Sequence, residues 1–313
     1  MSDLKELTNN SDLEYIDINI AGNGSIVEQN DKIALIDADT IAYNACLATE
    51  RVVTLLPRDT YTDEEWKDLE PHIVSEEEAR IPDIPAAIMF AKSKIQKILE
   101  CTGCKDVELH FTTGKSSFRY HIYPEYKANR KNFIAPAGLR EVKEELCKLY
   151  RGYLHTAIEA DDAVAYIYTN NKNNRINKGL EPQFILCAVD KDVLRSIAGR
   201  HFNYYESAKH NIDMKWVETG VVDAYNFPFL QAMMGDRSDN IIGLEGIGEK
   251  KAQKIIDTNS PINLSILKDI YEKHGRSRED AELNYNLCSM GSTTETPLAL
   301  LSINYKGEAD VSL

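Results

Sequence analysis

Two acids three residues apart, Asp236 and Asp239, stand in the stretch GDRSDNIIGLEGIGEKK (Gly235 to Lys251). At that spacing two short carboxylates share one face of a helical turn and reach a common divalent ion. A few residues on, Gly246-Ile247-Gly248 runs into Glu249-Lys250-Lys251-Ala252. A glycine-tight turn at a helix start exposes backbone N–H groups on which a phosphate docks. The missing Cβ lets a backbone come close, and Lys250 and Lys251 add positive charge. A cation-binding pair tethered to a phosphate clamp points to chemistry on a nucleic-acid backbone.

Further acids stand where such chemistry needs them. Asp37 ends the apolar run KIALID, Glu159, Asp161 and Asp162 open EADDAVAYI, and Asp190 and Asp192 lie in VDKD. Acids in a first helical turn complement the helix dipole, but three within four residues exceed that need. No His or Cys cluster accompanies them, so the ligands are hard oxygens, which select Mg²⁺, with Mn²⁺ as substitute, over zinc. So many carboxylates on one edge call for two or more cations. Two ions about 3.5–4 Å apart clamp the attacking and leaving oxygens of an in-line displacement at phosphorus. Lys127 and Arg130 would assist at the scissile phosphate. They lie in GKSSFRYHIYPEYKANRK, where Lys115, Arg119, Tyr126, Lys127, Arg130 and Lys131 interleave charge with aromatic rings, a composition suited to gripping a strand and stacking its bases.

The elements that position these residues read as α/β. KIALID and FILCAV are continuous apolar runs, as buried parallel strands are, and each delivers acids to the carboxyl edge of a sheet. DVELHFT alternates as a further strand. Residues 84–99, 139–151 and the segment from 157 have helical periodicity, as do 222–234, 252–257, 264–274 and 280–290. Residues 202–215 read as an antiparallel pair or loop. The acidic stretch 57–85 reads as an insertion between the first strand and the next helix. Residues 1–30 are polar, with no apolar leader, so export is not expected. The 313 residues, 43% apolar, contain no long apolar run, which excludes a helical membrane span. Six scattered cysteines suit a reducing cytoplasm. The net charge of −14 opposes nucleic-acid binding if averaged. Its distribution matters more, since acids crowd residues 59–80 while 115–131 and 250–254 are basic.

Taken in order, LIDADT, FRYHIYPEYKANRK, EADDAVAYI, VDKD and GDRSDNIIGLEGIGEKKA resemble the 5′ nuclease family of flap endonucleases and 5′→3′ exonucleases, especially the free-standing bacteriophage enzymes. The resemblance spans residues 31 to 300. It implies a mixed, mostly parallel PIN-like or Rossmann-like sheet with helices on both faces. A nuclease core over 31–220 would include a helical arch at 114–140, followed by a helix-hairpin-helix-like DNA clamp over 221–300 and a tail at 301–313. It implies that Asp37, Glu159, Asp161, Asp162, Asp190, Asp192, Asp236 and Asp239 bind metal and that Lys127 and Arg130 are the catalytic pair. It further implies K⁺ at Gly246–Gly248 and a monomer acting on 5′ flaps, nicked or 5′-ended duplexes and RNA–DNA hybrids in phage replication. One departure stands out: where the family has a further Asp after its second strand, this chain reads Phe111-Thr112-Thr113-Gly114. Asp39 is near enough in sequence to Asp37 to compensate. Two alternatives remain, a haloacid-dehalogenase-type phosphatase using Asp37 and Asp39, and a catalytically weakened junction-binding protein.

Overall fold

The computed structural model describes residues 32–114, 117–130 and 133–290, together with the backbone of 303–304. The leader at 1–30, most of the 301–313 tail, Lys115 and Lys131 lie outside the described residues. The run expected to start the fold forms β1 (Ile33–Asp37). Its alternation serves two layers at once: Ala34 and Ile36 enter one apolar cluster and Leu35 another. A strand covered on both faces has no need of polar positions until it ends, at Asp37.

An unexpected helix, α1 (Asp39–Thr49), follows after one residue. It packs through Ile41, Ala42, Ala45 and Cys46, and its small residues gave little apolar periodicity to read. β2 (Arg51–Thr54) and β3 (Glu78–Ile81) then pair antiparallel, apart from the main sheet. Between them lies α2 (Asp63–Leu69), started by a capping box of Thr62 and Glu65. The acidic stretch is thus a hairpin with its own helix, and it begins at Arg51.

α3 (Ile84–Thr102) is capped by Asp83, whose carboxylate accepts the Ala86 N–H, and is ended by Gly103 at φ +72°. β4 (Asp106–Thr112), α4 (Phe118–Ile122) and α5 (Leu139–Leu149) come next. The helix expected to run through Arg151 stops at Leu149, because Arg151 opens another strand, β5 (Arg151–His155). The chain doubles back within one residue, and a Cβ on Gly152 would lie 2.5 Å from Cys147 Cα. That short strand, with a glycine inside it, carries no sequence signal of its own.

α6 (Ala160–Ile176), β6 (Phe184–Ala188), α7 (Lys191–Ser196), β7 (Gly199–Asn203) and β8 (Lys215–Thr219) complete the sheet region. With β11 (Ile303–Asn304), named in chain order after the elements below, the strands run β11–β5–β4–β1–β6–β7–β8. Pairing from β5 to β7 is parallel, and β8 and β11 are antiparallel edges. Buried residues of α1, α3 and α5 cover one face, and those of α6 and α7 the other.

α8 (Val221–Met234), α9 (Glu249–Thr258), α10 (Leu264–Lys273) and α11 (Arg278–Cys288) share a separate apolar cluster around Phe229, Leu230, Leu267 and Tyr271. Between α8 and α9, β9 (Gly235–Asp236) and β10 (Ile241–Ile242) form a tight antiparallel hairpin. Asp236 and Asp239 therefore do not share a helical turn, as their spacing suggested. Gly235, at φ +74°, ends α8, and the hairpin turn presents both acids instead.

The close approach that holds the hairpin permits no side chain at Gly243, where a Cβ would fall 2.2 Å from the Met234 carbonyl carbon and 2.3 Å from the Gly235 nitrogen. Gly243→Ala should therefore cost about 1–3 kcal/mol through backbone displacement. Urea denaturation measures this, and an unchanged midpoint would show that the hairpin tolerates the shift.

Candidate functional site

β1 and β6 are neighbours in the sheet, so Asp37 and Asp190 emerge side by side at its carboxyl edge. Asp190 caps α7 by accepting the Asp192 N–H at 2.7 Å. Burial, then Asp39, then Asp190 push the Asp37 carboxyl up to about 8. Burial and Asp192, joined by Asp236, push Asp190 upward too. Asp236 behaves oppositely: Ser238, which donates its N–H and hydroxyl at 2.7 and 2.6 Å, and Lys191 outweigh burial and hold it below its usual value. Lys191 Nζ stands 2.9 Å from Asp192 and 3.5 Å from Asp236.

A second group forms where α6 begins. Glu159 is the N-cap residue, and carboxylate oxygens of Glu159, Asp161 and Asp162 lie within 4.8 Å of one another. Burial, Asp162 and Glu159 drive Asp161 well above the ordinary range. Burial would raise Glu159 as well, but Lys127 and Arg119 override it and keep that carboxyl low. Asp239 links this group to the hairpin: Tyr126 Oη lies 3.0 Å from Glu159 Oε2 and 2.8 Å from Asp239 Oδ2. Burial raises Asp239 despite Lys127, Tyr126 and Arg130. Lys127 donates to Glu159 Oε1 at 2.6 Å, and Arg130 pairs with Asp239 at 2.8 Å. Lys127 sits at φ +54°, held there as its N–H donates to the Asp239 carbonyl. A non-glycine residue in that region is strained and persists only where its surroundings over-determine it.

Carboxyls that repel each other into their protonated forms gain most from a cation between them. The donor set is oxygen throughout, which fits a divalent cation.

No family model matches the chain. The flap endonuclease Xni of Shewanella baltica is 26% identical over 241 residues, covering 73% of this chain and 87% of that protein. DNA polymerase I of Bacillus caldotenax is 30% identical over 217 residues, 63% of this chain but 24% of the polymerase. Among solved structures, a T5 protein co-crystallised with metal ions superposes with a TM-score of 0.54 at 20% identity, covering 83% of this chain and 90% of that one. A T5 5′-exonuclease variant gives 0.55 at 19%, covering 89% and 94%. The 5′ nuclease family fits these likenesses. Its fold, a mostly parallel sheet flanked by helices, is the fold of those T5 proteins.

Two residues expected on a DNA-facing surface lie inside. Arg119 is 1% exposed. Its guanidinium pairs twice with Asp162, reaches Glu159 at 3.3 Å and donates to the carbonyls of Leu287 and Ser289. It is an internal pin joining α4, α6 and α11, and all its donors are consumed there. Tyr126, 2% exposed, spends its hydroxyl on the acids and cannot stack a base. Basic-aromatic composition alone cannot tell a buried ion pair from a phosphate contact. Arg130, half exposed, and the exposed Lys250 and Lys251 beside Gly246 and Gly248 remain accessible. Lys251 Nζ donates to the Gly246 carbonyl at 2.8 Å.

Sequence reasoning missed Lys143. Its ammonium sits 2.7 Å from Asp39 Oδ1 and 2.8 Å from the Thr112 carbonyl. Asp39 also accepts the Thr112 N–H at 3.0 Å. Thr112 Oγ1 accepts the Ala160 N–H at 2.9 Å, so a hydroxyl at the end of β4 caps α6. Lys143 lies on a helix read only for its apolar face, and nothing local announces its reach.

The sign of the Asp37 shift fixes a pH dependence. Its folded value, about 8, exceeds the unfolded one, about 4. Between them the native state holds the extra proton, so metal-free protein loses stability as pH rises through that window. In EDTA, the melting temperature of wild type should fall from pH 6 to pH 8 by several degrees more than that of Asp37→Asn. Parallel curves would mean Asp37 does not carry the repulsion.

Proposed function

We propose that this protein is a metal-dependent 5′ nuclease that hydrolyses DNA phosphodiesters at 5′ flaps, nicks and 5′ ends, and the 5′ strands of RNA–DNA hybrids during primer removal. The observation that carries the reading is the meeting of acids from β1, β6, α6 and the β9–β10 hairpin with Lys127 and Arg130. The family relatives support it, including one named flap endonuclease. In this reading residues 31–220 are the nuclease core, 114–140 arch over the site, and 221–300 grip duplex DNA. The protein acts as a monomer in the cytoplasm, during phage replication, and among the described residues no helix is long and apolar enough to cross a membrane.

Asp37, Asp190, Asp192, Asp236, Asp239, Glu159 and Asp161 would hold two or more Mg²⁺ ions, with Mn²⁺ able to substitute. Asp162 adjoins them but is paired with Arg119, and its part is to fix the start of α6. When bound, the cations supply Lewis-acid activation of water and charge neutralisation at the reacting phosphate. The chain's own groups do the rest. Lys127 and Arg130, already aimed at Glu159 and Asp239, exchange those carboxylates for phosphate oxygens and position the scissile group. The backbone N–H groups at the start of α9, with Lys250 and Lys251, hold a phosphate farther along the duplex. A K⁺ at Gly246–Gly248 would displace the Lys251 ammonium from the Gly246 carbonyl.

The phosphatase alternative requires Asp39 as a free general acid, whereas Lys143 and the Thr112 N–H engage it. The weakened-binder alternative has one observation in its favour, the neutral Thr112. Cleavage of a 5′-labelled flap duplex in Mg²⁺, Mn²⁺ or EDTA decides. Short metal-dependent 5′ products support the nuclease, tight binding without cutting supports the binder, and neither supports the phosphatase.

Asp161→Asn should abolish cleavage while leaving flap affinity, measured in Ca²⁺, within about threefold; full-rate cutting would remove Asp161 from the metal site. Lys127→Ala should lower single-turnover cleavage by about 10²–10³-fold with a much smaller loss of affinity. Equal losses in both would make Lys127 a binding residue only.

A further inference from the structure

A carboxamide oxygen with nothing to accept stands beside the acids. Gln231 lies on α8 between the buried apolar residues Leu230 and Ala232, is 3% exposed, and its Oε1 has no hydrogen-bond partner among the described residues. A buried acceptor left unpaired costs about 1–3 kcal/mol, so a leucine would serve this helix better unless the oxygen is used. Gln231 lines one narrow cleft with Asp192, Asp236 and Asp239.

The charged and hydroxyl donors that line that cleft among the described residues are committed elsewhere. The Arg119 guanidinium is consumed by Asp162, Glu159 and two carbonyls. The Tyr126 hydroxyl serves Glu159 and Asp239. Lys191, exposed and outside the cleft's lining, bridges Asp192 and Asp236. Three acids and an orphan neutral oxygen around one cleft are left short of two things together, uncommitted positive charge and uncommitted hydrogen-bond donors. A hydrated divalent cation supplies both, because such ions keep several waters whose protons point outward.

We infer that Gln231 is a positioning residue of the cation site built on Asp192, Asp236 and Asp239, its Oε1 accepting a hydrogen bond from a water of the cation's shell. The inference rests on those acids binding a cation. Outer-shell acceptors of this kind orient the bound ion, and their loss typically weakens metal affinity by 10–100-fold.

The test uses full-length wild type, Gln231→Leu, Gln231→Glu and Asp236→Asn, without DNA. Mn²⁺ is titrated by calorimetry, and thermal unfolding is followed in EDTA and in excess Mn²⁺. Gln231→Leu should melt in EDTA no lower than wild type, since an unsatisfied oxygen is gone. It should bind Mn²⁺ at one site about tenfold more weakly and gain less from Mn²⁺ in melting temperature. Gln231→Glu, which keeps an acceptor, should bind at least as tightly as wild type, and it carries the test if the leucine variant does not fold. An unchanged Mn²⁺ isotherm for Gln231→Leu overturns the inference while leaving the metal site standing. A lower melting temperature in EDTA with unaltered Mn²⁺ affinity also overturns it, by making the amide a packing group. If wild type binds no Mn²⁺ that Asp236→Asn abolishes, the metal reading itself fails and the inference with it.

Discussion

Repulsion among carboxylates at one sheet edge is the constraint around which this molecule is arranged. Two neighbouring parallel strands bring Asp37 and Asp190 together, the start of α6 gathers Glu159, Asp161 and Asp162, and in both groups burial removes the water that would screen the charges. Asp37, Asp161, Asp190 and Asp239 are all pushed toward protonation as a result. The fold does not relieve this by spreading the acids apart. It surrounds them with cations anchored from outside: Lys143 on α5, Lys191 on α7, Arg119 on α4, and Lys127 and Arg130 beyond it. Each is held by backbone carbonyls or by a second acid, so partial neutralisation and rigidity come from the same contacts. What remains is a net deficit of positive charge, which selects a cationic cofactor and an anionic substrate drawn to it.

The distribution of those pairs separates fixed from exchangeable charge. Arg119 is enclosed on all sides, and removing it would strand Asp162 in a dry interior, the situation in which a broken ion pair costs most. Arg130 holds Asp239 from a more open side, its side chain being nearly half exposed, while Lys127, at 17%, lies between the two extremes. An exposed ion pair is worth little, so trading a carboxylate for a phosphate there is cheap. The same residue type thus performs opposite tasks eleven positions apart, and burial rather than sequence decides which.

That is also why the sequence was legible only in part. Acids at strand ends could be read because a short apolar run stopping at an aspartate has few meanings in a parallel sheet. The helix starts, and the glycine turn before α9, could be read for similar local reasons. The hairpin carrying Asp236 and Asp239 could not, since its cause is contact between Gly235 and Gly243, eight positions apart, across residues that carry no strand pattern of their own. β5 was absorbed into the preceding helix because a one-residue reversal leaves no turn signature. Lys143, Arg119 and Gln231 act across the fold, and a chain read in one dimension holds no record of which strand end a lysine will reach.

Thr112 shows how the scaffold uses a neutral residue at the end of β4. At the end of β4 an aspartate would have added a further charge beside Asp161, already among the most strongly perturbed carboxyls of the site. The threonine hydroxyl instead accepts the Ala160 N–H, satisfying one of the free donors of the first turn of α6. The neighbouring backbone is tied down as well, its N–H donating to Asp39 and its carbonyl accepting from Lys143. Local repulsion is therefore lower than an acid there would make it, and the helix that presents Glu159 and Asp161 is better anchored. The cleft lined by Gln231 draws its acids from other elements. Asp192, Asp236 and Asp239 stand there, and the buried amide of Gln231 adds an oxygen beside them without adding to the repulsion.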